Sequence, residues 1–230
     1  MLDLCFAALL LAAPPSGSEE LRWIKALYPA GKIEGDTLTR IARDGVPGKI
    51  RDENVHKQKV KGGFVIAFLL ELENEEQEGK YLQVIHVDTK GKFLGKAADP
   101  FPIGGTWGKD EEHGMDSERE LVLISLQPIE GTDRAVLLDF TPTSTTFSSD
   151  QYQVFAVGRD GTLITGEPVG HGTRISGDSS KYISTFSDIR YEKGAVRATV
   201  RRDFELAYED ADDPELGKSK TEEVILLSLE

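Results

Sequence analysis

The sequence predicts a mainly β fold. We expect an antiparallel β-sandwich or open barrel of about nine or ten strands, in two related halves, behind a short helical N-terminal segment. Three observations carry this expectation. Four stretches of strand length are almost wholly apolar: Phe64 to Leu70, Leu121 to Leu126, Ala135 to Phe140 around Asp139, and Val224 to Leu229 around Ser228. A strand covered on both faces reads this way, so these four are the expected central strands. Turn residues punctuate the chain at short intervals, as at Ile129 to Asp133 and Glu192-Lys193-Gly194, and short connections make successive strands antiparallel neighbours. Finally, one hairpin pattern occurs twice.

Gln153 to Ile164 reads as two strands joined at Asp160-Gly161, and Gln83 to Leu94 stands seventy positions earlier without a gap. Gln, two Val and the turn Gly coincide, and Ile85/Phe155, Phe93/Leu163 and Leu94/Ile164 match in kind. Extended to the flanking strands, the match suggests repeats over 64–127 and 134–208. A pseudo-two-fold axis would then bring equivalent connections to one end of the molecule. Four-bladed closure as a propeller needs blades of about 40 residues each, which the stretch after Phe64 barely supplies.

In chain order, Leu4 to Ala13 is an apolar run too short for a membrane-spanning helix, which needs about 20 residues. It suits the core of a secretory signal over 1–18, with small residues at Ser16-Gly17-Ser18. Its start is atypical, because Met1-Leu2-Asp3 has no basic residue. The expected location is therefore secreted or periplasmic. Residues 19–46 are read as short helices on the sheet. Leu21, Ile24, Leu27 and Tyr28 have helical spacing, and Asp36 would cap a second helix with Leu38, Ile41 and Ala42 inward. Residues 47–230 form the β domain. Val196, Ala198 and Val200 alternate with Arg197, Thr199 and Arg201, and a phase change near Arg202-Asp203 suggests a β-bulge. Tyr182 to Tyr191 is the expected partner strand.

Composition narrows the function classes. The 230-residue chain carries a net charge of −13, which disfavours nucleic acid and anionic membrane surfaces. Cys5 is the only cysteine and lies in the leader, so a processed chain has no disulfide, thiol nucleophile or cysteine zinc site.

Two long polar connections, 99–119 and 166–181, follow the hairpins, and connections of that length are uncommon unless functional or disordered. The first holds Trp107, Asp110, Glu111, Glu112, His113, Asp116 and Glu118. Asp110, Glu112 and Asp116 are the candidate ligands for calcium, a hard cation that takes oxygen donors. The competing reading is a solvated acidic loop, since the spacing matches no EF-hand. No other cofactor is implied. The second connection places His171 between Gly170 and Gly172, with Arg174 beyond. Glycines on both sides let the backbone approach a ligand or another strand closely. Trp107, His113, His171 and Arg174 are the candidate binding residues, and Trp107, with Phe101 and Phe147, has the competing role of a loop anchor. No residue is assigned a catalytic role. His86 lies on a strand, pointing away from Ile85 and Val87. Arg197, Arg201 and Arg202 suit either a carboxylate clamp or pairing with local acids.

The expected function is a non-catalytic binding module for a protein or small ligand, acting through connections 99–119 and 166–181. The alternatives are a metal-dependent hydrolase using His113, His171 and nearby acids, and a structural cell-envelope protein.

Overall fold

The computed structural model describes residues 17–28, 31–35, 37–41, 47–51, 54–72, 79–97, 101–102, 120–144, 147–148, 150–175, 180–206 and 217–229. The fold is mainly β, with antiparallel sheets in a sandwich-like layout, and the described residues include one short helix and no closed barrel. Helix α1 spans Gly17–Lys25. The first sheet holds β1 (Lys32–Glu34), β2 (Thr37–Ile41), β3 (Pro47–Arg51), β4 (Val55–Val60), β5 (Gly63–Leu72), β6 (Gly79–Asp88), β7 (Phe93–Lys96) and β8 (Phe101–Pro102). The second holds β9 (Glu120–Pro128), β10 (Ala135–Ser144), β11 (Phe147–Ser148), β12 (Asp150–Val157), β13 (Leu163–Thr165), β14 (Val169–Ile175), β15 (Ser180–Glu192), β16 (Ala195–Leu206) and β17 (Ser219–Ser228). This is a finer division than nine or ten strands, because several strands have only two to five residues. Strands that short carry no readable period.

Each sheet contains a four-stranded antiparallel meander: β4-β5-β6-β7 in the first and β9-β10-β12-β13 in the second. Both expected hairpins form, and Gly91 and Gly161 turn them at φ +79° and +87°. Asp88 accepts the amides of Lys90 and Lys92, and Asp160 accepts the amide and hydroxyl of Thr162. The two-residue turn Lys193-Gly194 between β15 and β16 also has positive φ throughout, which suits the right-handed twist of a hairpin.

The meanders pack face to face. Val65, Ala67 and Leu69 of β5 and Leu82 and Val84 of β6 meet Val136, Leu138 and Phe140 of β10 and Phe155 and Val157 of β12. The outer face of the first meander, with Ile66, Phe68, Ile85 and Val87, lies under Leu21 and Ile24 of α1, Leu38 of β2 and Ile50 of β3. The outer face of the second, with Leu137, Val154 and Ala156, lies under Val196 and Ala198 of β16 and Leu226 and Leu227 of β17. β5 and β10 are therefore covered on both sides, which explains their unbroken apolar sequences.

The pairing Ala67↔Val84 has its counterpart at Leu137↔Val154, so the β5/β6 and β10/β12 registers coincide at the seventy-residue spacing. Equivalent residues nevertheless point to different sides of the shared interface. Val84 faces the other meander, whereas Val154 faces away from it. A two-fold axis would turn both inward, so the expected pseudo-two-fold is absent. The meanders are stacked the same way up, and a contact between their ends joins them. His86, buried on β6, donates from Nδ1 to the Gly161 carbonyl at 2.9 Å, and Gly95 lies against the same turn.

The helical cap is tied to the first hairpin. Trp23 stacks on Phe64 with ring centroids 5.5 Å apart and crosses Gly91, where a Cβ would fall 1.9 Å from the indole. Lys57 reaches the buried carboxylate of Glu20, with its ammonium 5.2 Å from the ring centroids of both Trp23 and Phe64.

Four local expectations are corrected. The second helix after Asp36 is instead β2, where Thr37, Thr39 and Ile41 favour an extended backbone and pair with β3. Two of the expected central strands lie at sheet ends. Among the described residues β9 pairs with β10 alone, and β17 with β16 alone, leaving Ile225 56% exposed. In β17 a register shift between Ile225 and Leu227 puts Leu226 and Leu227 both on the core, so a bulge rather than two-sided burial makes the run. The pairing through Arg202-Asp203 is regular, and β15 shifts register at Ser187/Arg190 instead. Connection 166–181 is not one loop, because β14 and the start of β15 occupy most of it.

Phe140→Ala should cost about 3–5 kcal/mol of unfolding free energy in urea titration, as for a fully enclosed aromatic. Ile225→Ala should stay within about 0.5 kcal/mol. Burial holds the His56 imidazole on β4 below its usual pKa, only partly offset by a backbone hydrogen bond at Leu123. The unfolded chain therefore takes up this proton first. Stability from His56 is complete above about pH 6.5 and lost as pH falls through the depressed folded value. His56→Asn should show a smaller drop in stability between about pH 7.5 and pH 5.5, measured by the same titration.

Candidate functional site

The most chemically varied part of the described surface is the end of the second sheet at β14. Strands β14 to β17 curl back over the outer face of β10 and β12, and the fit is close where Gly166 meets the Leu226 carbonyl. At this end the curl encloses a cavity of about 240 Å³. Its apolar part is Val169, Phe186, Val224, Ile225 and Leu226, and its polar side chains are His171, Ser184 and Arg202. Gly172, Ser184 and Arg202 stand in one row across β14, β15 and β16.

Strand register assembles the wall behind the cavity. Asp139 is opposite Tyr152, and Asp150 is opposite His171. These residues share a face continuous with Leu137 and Val154. His171 donates from Nε2 to Asp139 at 3.0 Å and stacks on the Tyr152 ring, with centroids 3.7 Å apart and planes at 13°. Phe186 closes on the Tyr152 ring edge-on at 5.8 Å. Asp150 accepts the Thr141 hydroxyl at 2.6 Å. Gly172 holds φ +70°, and a Cβ there would come within 3.3 Å of an Asp150 oxygen. Of the two reasons for glycines beside His171, the described structure shows the approach to other strands: Gly170 pairs with Gln151 and Gly172 with Ser184.

Burial raises the Tyr152 phenol above its usual pKa, and the negative charges of Asp139 and Asp150 add to the effect. The tyrosine is thus a neutral hydroxyl at physiological pH. Arg202 is paired with Glu222, which also holds Lys220. The other arginines of the expected patch are likewise paired with acids: Arg197 with Glu223 at 3.3 Å and Arg201 with Asp203 at 2.9 Å. Pairing with local acids, rather than an open clamp, is what the strands display.

Of the candidate residues, the cavity contains His171. The backbone of Arg174 lies on β14 opposite Tyr182. Trp107, Asp110, Glu112, His113 and Asp116 lie outside the described residues, so the calcium site and the separation of His113 from His171 fall there too. Among the described residues no group of three or more His, Asp or Glu is arranged to hold a metal. Asp139, Tyr152 and Ser184 were not among the sequence candidates, and Arg202 stood there only as a member of the arginine patch. Asp139 had a readable signal as the lone acid inside an apolar strand, a position that needs a partner. Ser184 had none, because only the pairing of β14 with β15 and of β15 with β16 places it, with Arg202, beside His171.

In comparisons with known proteins, the chain matches no family model, no curated sequence and no solved structure. The functional reading therefore rests on geometry and chemistry.

Asp139→Asn should bring the Tyr152 ionisation back towards the ordinary phenol value without reaching it, since burial remains. Ultraviolet titration against Tyr152→Phe isolates this tyrosine. No change on Asp139→Asn would mean that the carboxylate does not act on the ring.

Proposed function

We propose that this chain is an exported, non-catalytic binding protein whose ligand seats at the β14 end of the second sheet. The observation that supports it is the cavity itself, where an apolar floor lies against His171, held in place by Asp139 and Tyr152. Fixed polar groups over an apolar floor are suited to orienting a ligand. Connection 99–119, with Trp107 and the acids Asp110, Glu112 and Asp116, is the second binding arm in this reading, and calcium is the cation its oxygens would take. Export rests on the apolar run Leu4 to Ala13. We further read the repeats 64–127 and 134–208 as copies of one ancestral unit, supported by the shared register of β5/β6 and β10/β12.

The second reading is a hydrolase. The 3.0 Å contact between His171 and Asp139 has the form of a base and its orienting acid. A nucleophile or a metal-bound water would have to complete it, with His113 as the expected partner.

The test is a thermal-shift screen of protein recovered from an exporting host, with and without calcium, against small acids, amines, sugars and esters. Its intact mass should place the N-terminus at Glu19. A ligand should raise the melting temperature of the wild type and fail to do so for His171→Ala. Ester turnover that His171→Ala abolishes would favour the hydrolase instead. A protein that answers to no compound class would count against both.

A further inference from the structure

We propose that the cavity at the β14 end takes a small carboxylate with an apolar chain. The carboxylate meets Arg202 and Ser184 beside His171, and the chain lies on Phe186, Val224 and Leu226. The inference rests on the binding reading above and names its ligand class.

What selects the ligand class is which groups face the cavity and which stand behind it. Among the described residues lining it none is acidic, and its polar side chains are an imidazole, a hydroxyl and a guanidinium. The nearby carboxylates are set back and already engaged: Asp139 by His171, Asp150 by Thr141 and Glu222 by Arg202. The donors the lining has to give are the Ser184 hydroxyl and the guanidinium of Arg202, since the Nε2–H of His171 is already given to Asp139. Glu222 is bonded to Nη1 of Arg202, and a guanidinium carries five N–H donors in a planar fork that matches a carboxylate. Ser184 is 4% exposed and directly opposite Arg202 in the β15/β16 register.

The net charge of −13 opposes an anion at long range. Physiological salt screens that field over about 8 Å, so groups in contact decide the outcome. An ammonium group would instead meet the like charge of the Arg202 guanidinium. Cavity size sets the length of the ligand. At about 240 Å³ the space is below the usual range for drug-sized molecules, and a chain of a few carbons suits it.

The probes are hexanoate and hexan-1-ol, which share a chain length and differ at the head. Each is titrated into the full chain and followed by calorimetry and by the amide resonances of Ser184, Phe186 and Val224. Hexanoate is expected to bind at least about tenfold tighter than hexanol, as a charge-assisted hydrogen bond implies. The double variant Arg202→Gln with Glu222→Gln removes both members of the ion pair and leaves no unpaired charge. It should lower the ratio severalfold, with hexanoate losing more affinity than hexanol and Ser184 holding what preference remains. Ser184→Ala, a milder change, should weaken hexanoate alone.

Equal binding of the two probes to the wild type would overturn the carboxylate assignment and leave the binding reading standing. So would a preference for hexanoate that neither variant lowers. No response to either probe at millimolar concentration would overturn the assignment and count against the cavity as a small-ligand site.

Discussion

Covering the central strands on both faces is the constraint on which the rest of this structure depends. Val65 through Leu70 of β5 form an unbroken buried run, and Val136, Leu138 and Phe140 of β10 are fully enclosed. One sheet packed on another covers one face of each. The remaining faces need cover of their own, and the chain supplies it by two different means. At the amino-terminal side, α1 and the small strands β2 and β3 bring Leu21, Ile24, Leu38 and Ile50 onto the first meander. At the carboxyl-terminal side, the second sheet curls until β16 and β17 lie over its own β10 and β12. Burial of one such aliphatic side chain is worth roughly 1.5–3 kcal/mol, so leaving either face bare would cost several times that amount.

The curl also makes the cavity. The Gly166 backbone lies close against the Leu226 carbonyl of β17, whereas at the β14 end the cavity opens and polar residues join the apolar ones. Asp139 and His171 satisfy each other there, and Thr141 satisfies Asp150. Paired in this way, polar groups sit at the edge of an apolar interior without the penalty for unpartnered burial. The site is therefore a product of how the second sheet closes, not of a loop attached to it.

Much of the scaffold was legible in the sequence. The Gly-turned hairpins at Gly91 and Gly161 and the two-sided strands β5 and β10 announce themselves through composition alone. Failures came where one local pattern serves two structures. Leu38 with Ile41 fits a helix or a strand, and the pairing of β2 with β3 decided it. The apolar end of β17 imitates a central strand because a bulge aligns Leu226 and Leu227 on one side. Of the site, His171 was legible from its flanking glycines, whereas its neighbours come from β10, β12, β15 and β16. Proximity across that many strands is a property of strand order and register, and sequence separation hides it.

The two meanders are stacked the same way up, with the face carrying Val84 on one meeting the face carrying Phe155 on the other. If the two meanders are read as copies of one unit, a contact between unlike faces leaves a copy of each face on the outside, and such a pile would have no geometric reason to stop. Here it stops at two because the outermost faces are already occupied, by α1 with β2 and β3 on one side and by β16 with β17 on the other. These end pieces act as terminators, as the polar-faced end units of solenoid proteins do. On that view the amino- and carboxyl-terminal segments share no sequence pattern and yet serve one purpose, which is to keep a self-complementary architecture finite.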